Sequence, residues 1–232
     1  KGAIEDHFDH SYELEDKLKG NESKKKIYED VLACSNFGNI YFLRQKETKG
    51  LGHAVLCAKN FVGNEPFAVL YGDDVILSET PCTKQLCDAY EKYGKGVVGV
   101  KEVPGMAITK YCSLKTEPLE GNCYTCSDMI EKPKPEEIMG NFSILGRVVL
   151  PPQIFDILEK TPLGAGNELQ LTDAMKTLAQ TDGVVAVDYE GVRYDMGNKF
   201  GILQANIEVG LKHPETKEEL KAYLKKIAAD LD

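Results

Sequence analysis

The chain has 232 residues, 42% of them apolar and 28% charged, which is room for one large α/β domain or two small ones with a real core. Acidic residues outnumber basic ones 37 to 28, a formal net charge of −9, and a surface of that sign repels phosphate backbones and anionic lipid, which argues against nucleic acid and membrane surfaces as partners. No apolar run approaches the roughly 20 residues that span a bilayer and no signal-peptide pattern opens the chain, so a cytoplasmic location with reduced thiols is expected.

In chain order, helical spacing occupies 11–19 and 24–34, the second opening on the solvated run Lys24-Lys25-Lys26. Residues 39–44 (NIYFLR) are rich in aromatic and β-branched side chains and predict a strand. A short helix over 52–59 follows a glycine turn. The continuous apolar run 66–70 (PFAVL) predicts a strand buried on both faces, ending at Tyr71-Gly72-Asp73-Asp74. A helix over 81–93 leads to another buried strand over 96–100 (GVVGV). Residues 103–121 read as loop with one strand near 111–116. Strands are predicted over 123–131, ended by Pro133 and Pro135, and over 142–150. Pro151-Pro152 starts a helix ending near 159.

A loop at Gly164-Ala165-Gly166 precedes a helix over 169–179, and short strands follow over 184–189 and 192–196. Helices over 198–212 and 216–229 end the chain; Leu220, Leu224, Ile227 and Leu231 share one face of the last. Buried strands alternating with helices predict an α/β sandwich, with ligands at the carboxyl ends of the strands. That rule selects Asp73, Glu131 and Asp195, each closing a strand.

Four groups of residues could carry chemistry. Asp73 and Asp74 repel each other unless a cation or solvent separates them, which suits a metal–nucleotide site; a turn capped by the aspartates is the competing reading. In Glu131-Lys132-Pro133 the carboxylate can accept two sugar hydroxyls and the lysine supplies a mobile positive charge for a phosphate, though an exposed ion pair is the commoner reading. Tyr194-Asp195-Met196-Gly197 places an aspartate before a glycine turn. Gln45 with Lys49-Gly50-Leu51-Gly52-His53-Ala54 brings a glycine turn into a helix, leaving backbone N–H groups for an anion or a base edge. The seven cysteines include Cys123-x2-Cys126, half of a zinc site at most; Cys82-x4-Cys87 is a poor second half, so free thiols are expected.

Taken in order, these groups resemble the bacterial UTP–glucose-1-phosphate uridylyltransferase family. The resemblance also rests on Ala3-Ile4-Glu5-Asp6-His7-Phe8-Asp9, Gly146-Arg147, Asn167-Glu168-Leu169-Gln170-Leu171-Thr172-Asp173 and Asn198-Lys199. It implies a Rossmann-like mixed-sheet nucleotidyltransferase fold, one α/β domain over 1–232, with 198–232 as C-terminal helices available for oligomer contacts. It implies UTP and glucose-1-phosphate as substrates, Mg²⁺ as cofactor, and a homodimer or homotetramer. Asp73, Lys132 and Asp195 would be catalytic, with Asp73 and Asp195 holding Mg²⁺. Gln45 and Gly50 would read uracil. Glu131 would bind glucose, with Tyr111, Cys112, Asp74, Gly146 and Glu168 lining or supporting the sugar pocket, and Lys132 would meet the sugar phosphate.

Two departures follow. The family's Tyr-Gly pair in the sugar loop is Tyr111-Cys112 here. The Gly-x-Gly-Thr-Arg…Pro…Lys nucleotide loop has no counterpart, so the domain is expected to be N-terminally incomplete and this chain alone inactive. A glucose-1-phosphate thymidylyltransferase and a non-catalytic sugar-nucleotide-binding remnant are the alternatives; Glu131-Lys132-Pro133 argues against a glycosyltransferase.

Overall fold

The computed structural model describes residues 2–229, the side chain of Ala165 excepted, so Leu231 lies outside the described residues. The chain divides into two compact units, Lys1–Lys46 and Glu47–Asp232.

The first unit holds helices α1 (Gly2–His7), α2 (Tyr12–Leu18) and α3 (Lys25–Ser35). The Ser35 hydroxyl donates to the Asp9 carbonyl at 3.1 Å, tying the end of α3 to the turn after α1. The strand predicted over 39–44 is not formed: the segment has no regular secondary structure, and Tyr41, Phe42 and Leu43 are exposed. β-propensity alone does not make a strand; a ladder partner is required, and among the described residues none pairs there.

The second unit begins with α4 (Leu51–Leu56) and α5 (Lys59–Val62), then β1 (Phe67–Leu70), β2 (Asp74–Leu77), α6 (Cys82–Tyr93) and β3 (Gly96–Glu102). It continues through β4 (Cys112–Glu120), β5 (Cys123–Glu131), β6 (Phe142–Leu150), α7 (Gln153–Leu158), α8 (Leu171–Thr181), β7 (Val184–Asp188), β8 (Val192–Asp195), α9 (Lys199–Gly210) and α10 (Lys217–Ala229). A six-stranded sheet runs in the order β1-β6-β3-β7-β5-β4, and β2 and β8 form a separate two-stranded ribbon. Only the β3–β7 pairing is parallel, so the sheet is mixed, as the resemblance implied.

Strand alternation divides the core. Val98 and Val100 of β3 join Ile154, Phe155 and Leu158 of α7 and Met175 and Leu178 of α8 on one face. Val97, one residue away, joins Leu86 and Ala89 of α6 and Tyr189 on the other. Helices therefore cover both faces, the predicted sandwich.

Three expectations are corrected. β1 is not buried on both faces: Phe67 and Val69 are half-buried, while Ala68 and Leu70 are exposed. It lies at one end of the sheet, where only one face is covered; there Phe67 stacks on Phe155 with ring centroids 4.9 Å apart. The strand expected near 111–116 is longer than expected: it is the nine-residue β4 over 112–120, whose Pro118 is tolerated because β4 is the opposite edge. Finally, 74–77 is a strand that sequence did not separate from the Gly72-Asp73-Asp74 turn. It is the partner of β8.

Candidate active site

The ribbon places the aspartates. Asp73 lies in the turn between β1 and β2, Asp74 opens β2, and Asp195 closes β8 directly opposite Asp74. One backbone bond locks the ends together, Met196 N–H donating to the Asp73 carbonyl at 2.7 Å, and Gly197 N–H donates to the side-chain Oδ1 of Asp195 at 2.9 Å, fixing that carboxylate. A Cβ on Gly197 would stand 3.0 Å from Asp195 Oδ1 and 3.1 Å from Asp73 Oδ2. Glycine thus keeps open the space on which two carboxylate oxygens converge. Asp73 is exposed and Asp195 half-buried, and among the described residues no third His, Cys, Asp or Glu completes a cage. Two carboxylates with room for water and phosphate oxygens fit Mg²⁺, which keeps much of its hydration.

Asp74 is turned elsewhere. It is 8% exposed, and its Oδ1 stands 2.5 Å from Arg193 Nη2, which is also 4.0 Å from Asp195 Oδ2. The Asp74–Arg193 contact is an ion pair off the in-line geometry of a hydrogen bond. Burial pushes the Asp74 carboxyl up, Arg193 pulls it down, and Asp73 and Asp195 add to the rise. Behind it, Arg147 Nε and Nη1, Arg193 Nε and the Tyr189 hydroxyl are buried donors without a hydrogen-bond partner.

A cavity of about 190 Å³ is lined by Tyr71, Lys110, Tyr111, Cys112, Glu131 and Thr172, among others. Glu131, at the end of β5, accepts a hydrogen bond from the Thr172 hydroxyl at 3.0 Å. The next residue, Lys132, has φ of 47°, a left-handed conformation costing a side chain about 1 kcal/mol. Its N–H donates to the Tyr111 carbonyl at 2.7 Å, carrying the β4–β5 ladder one residue further. Cys112 Sγ lies 3.3 Å from the Ser143 hydroxyl and accepts from Ile144 N–H at 3.1 Å; burial pushes the thiol up to about 11. Tyr71 links the two regions, since it lines the cavity and its carbonyl accepts from Asp74 N–H at 3.1 Å. Burial, with Cys112, Asp74 and Glu131 nearby, pushes its phenol up.

Beside the cavity-lining Leu51 stands Gly50. At φ of 92°, it lies where a Cβ would be 2.8 Å from Glu168 Cβ and from the Leu169 carbonyl. Gly52 N–H donates to that carbonyl at 2.9 Å and Leu169 N–H to the Lys49 carbonyl at 2.8 Å. One N–H that the sequence reading left for a ligand, that of Gly52, is therefore occupied. Glu168 is exposed and lies 3.4 Å from the Gln170 amide nitrogen. Gly146 packs on Ile76 and the Tyr189 hydroxyl, between sheet and ribbon. Gln45 belongs to the other unit. Lys110, Thr172 and Arg193 were not selected from sequence; only the last two lie within quoted or neighbouring motifs. Cys123 and Cys126, three apart on a strand, point to opposite faces and cannot chelate as a pair.

A nucleotidyl transferase family profile matches residues 18–210. The chain is 48% identical over 227 residues to a UTP–glucose-1-phosphate uridylyltransferase of Staphylococcus epidermidis, covering 98% of this chain and 78% of that one. The chain belongs to the nucleotidyl transferase family, among its UTP–glucose-1-phosphate uridylyltransferases. Identity to the uridylyltransferase YngB of Bacillus subtilis is 45%, over 98% of this chain and 76% of that one. Two solved structures align with this chain over 97% of its length and 78% of theirs. One is a UDP-glucose pyrophosphorylase complexed with UDP-glucose, at 34% identity and TM-score 0.78. The other is a UTP-bound enzyme of the same type from Acinetobacter baumannii, at 33% and 0.81.

Proposed function

We propose that this uridylyltransferase forms UDP-glucose and pyrophosphate from UTP and glucose-1-phosphate, with Asp73 and Asp195 holding Mg²⁺. The convergence of Asp73 Oδ2 and Asp195 Oδ1 on the space beside Gly197 carries the reading. A phosphate oxygen of glucose-1-phosphate attacks the α-phosphorus of UTP; that P–O bond forms as the bond to the β-phosphate bridge breaks, releasing pyrophosphate. The chemistry calls for no protein nucleophile, only positioned anions and neutralised charge. Bound Mg²⁺ supplies charge neutralisation between the phosphates.

The remaining work belongs to side chains. Glu131, steadied by Thr172, accepts glucose hydroxyls, and Tyr111 and Cys112 border them. Lys132 meets the sugar phosphate, and its conformation at the strand end sets its backbone apart from that of Glu131. Gly50 reads uracil, with Glu168 supporting it. Gly146 and Asp74 support the ribbon from behind. The helices α9 and α10 supply contacts for a homodimer or homotetramer, and the free thiols suit the cytoplasm.

The test is competition binding with UDP-glucose and dTDP-glucose in the presence of Mg²⁺, followed by pyrophosphate release from UTP and from dTTP with glucose-1-phosphate. Preference for the uridine ligand supports the reading. Preference for the thymidine ligand would move the protein to the thymidylyl class.

A further inference from the structure

We propose that Arg193 is a positioning residue that ties the Asp74 carboxylate away from the metal site, so that three neighbouring aspartates present only two ligands. The inference rests on the reading that Asp73 and Asp195 hold Mg²⁺, and it concerns how that pair is selected.

The register sets the geometry. Asp74 faces Asp195 and Ile76 faces Arg193 across the ribbon, so these four side chains share one face. Arg193 is then diagonal to Asp74 and two residues before Asp195. Its Nη2 chooses between two carboxylates, at 2.5 Å from Asp74 and 4.0 Å from Asp195. Coulomb attraction falls with distance, and burial leaves the closer pair less screened, so Asp74 is the partner and Asp195 is held only at a distance. The two oxygens of Asp195 are thereby told apart: Oδ1 accepts from Gly197 and faces Asp73, while Oδ2 lies on the Arg193 side.

A second observation points the same way. Arg147 and Arg193 both have buried nitrogens without hydrogen-bond partners in the layer behind the ribbon. Asp74 is the buried acid facing that positive charge. Withdrawing Asp74 toward a metal would leave Arg193 buried and unpaired, which is costly. The chemistry needs that restraint. A third carboxylate would hold a divalent cation more tightly, occupy a position that phosphate oxygens must take, and repel both anionic substrates.

The experiment measures binding of Mn²⁺ alone to the whole chain by electron paramagnetic resonance of the free ion, alongside steady-state kinetics. Wild type should bind one Mn²⁺ weakly, and Asp73→Asn or Asp195→Asn should abolish that binding. Arg193→Met should bind Mn²⁺ about tenfold more tightly, because a positive charge leaves and Asp74 is released. Its turnover should fall at the same time. Arg193→Lys should stay close to wild type, and Arg193→Met with Asp74→Asn should restore the wild-type Mn²⁺ affinity. That double variant removes both buried charges together, so it keeps a foldable ribbon even where the single variant does not. Asp74→Asn alone should weaken Mn²⁺ binding, because it leaves the Arg193 charge unpaired 4.0 Å from Asp195 Oδ2.

Unchanged Mn²⁺ affinity in Arg193→Met, tightening that survives Asp74→Asn, or tighter binding in Asp74→Asn alone would each overturn the role of Arg193. Mn²⁺ binding insensitive to both Asp73→Asn and Asp195→Asn is a different result. It would remove the metal seat itself, and the inference with it.

Discussion

Thr172 donates its hydroxyl to Glu131 at 3.0 Å, joining the first turn of α8 to the last residue of β5. The bond fixes which way a half-buried carboxylate faces. Thr172→Val keeps the shape and removes the donor, so the loss should fall on glucose-1-phosphate: KM up about tenfold, consistent with one hydrogen bond to a charged group, and kcat little changed. Thr172→Ser should recover most of it. A change confined to the KM for UTP would place Glu131 on the wrong substrate.

Gly197→Ala tests the metal seat by volume rather than charge. The added Cβ would stand within 3.1 Å of both carboxylates, closing the space between them without removing either. Turnover should fall at least as far as in Asp73→Ala, with the circular dichroism spectrum retained. Near-normal synthesis in either variant would relocate the cation.

Lys132 separates backbone from charge. Glycine accepts φ of 47° without strain, whereas the Cβ of alanine keeps the strain of wild type, so Lys132→Gly should be up to about 1 kcal/mol more stable than Lys132→Ala. Both variants should lose glucose-1-phosphate use far more than UTP binding. Equal losses on the two substrates would remove Lys132 from the sugar phosphate.

The buried thiols predict an alkaline limit. Burial pushes Cys112 up to about 11 and Cys126 up to about 12 from an ordinary value of 9.0. The unfolded chain therefore releases these protons first as pH rises. Their contribution to stability is intact below pH 9 and drains away as pH climbs through those values, at about 1.4 kcal/mol per unit for each group. Chemical denaturation at pH 8, 9 and 10 should reveal a slope that flattens in Cys112→Ala with Cys126→Ala. At pH 8 a thiol reagent should meet exposed Cys57 quickly and leave buried Cys82, Cys112 and Cys126 unmodified.

How much of this was legible in the sequence depends on what each signal measures. Apolar periodicity found β3, β5, β6, α6 and α8, because those elements bury a face against neighbours that any sandwich supplies. It failed at 39–44, where the residues suit a strand but enter no sheet, and it stopped short at β4, where polar edge positions beyond 116 mask the alternation. Asp73, Glu131 and Asp195 were selected as candidates from strand ends alone. Arg193 was not, since a lone arginine before Tyr-Asp carries no pattern; its meaning comes from the cross-strand register with Asp74. Cys112 marked a departure from the family pattern, and only coordinates place its sulfur against Ser143 and Ile144. The backbone angle of Lys132 left no trace in composition.

The two backbone bonds between 49–52 and Leu169 have a consequence for redesign. They make the turn proposed to touch the nucleobase and the segment beside the sugar cavity one mechanical piece. Grafting a foreign turn onto 49–52 to alter base preference would disturb the sugar side unless 168–170 travels with it. On the proposed assignment, a change of nucleotide preference made at 49–52 would carry a change on the sugar side with it.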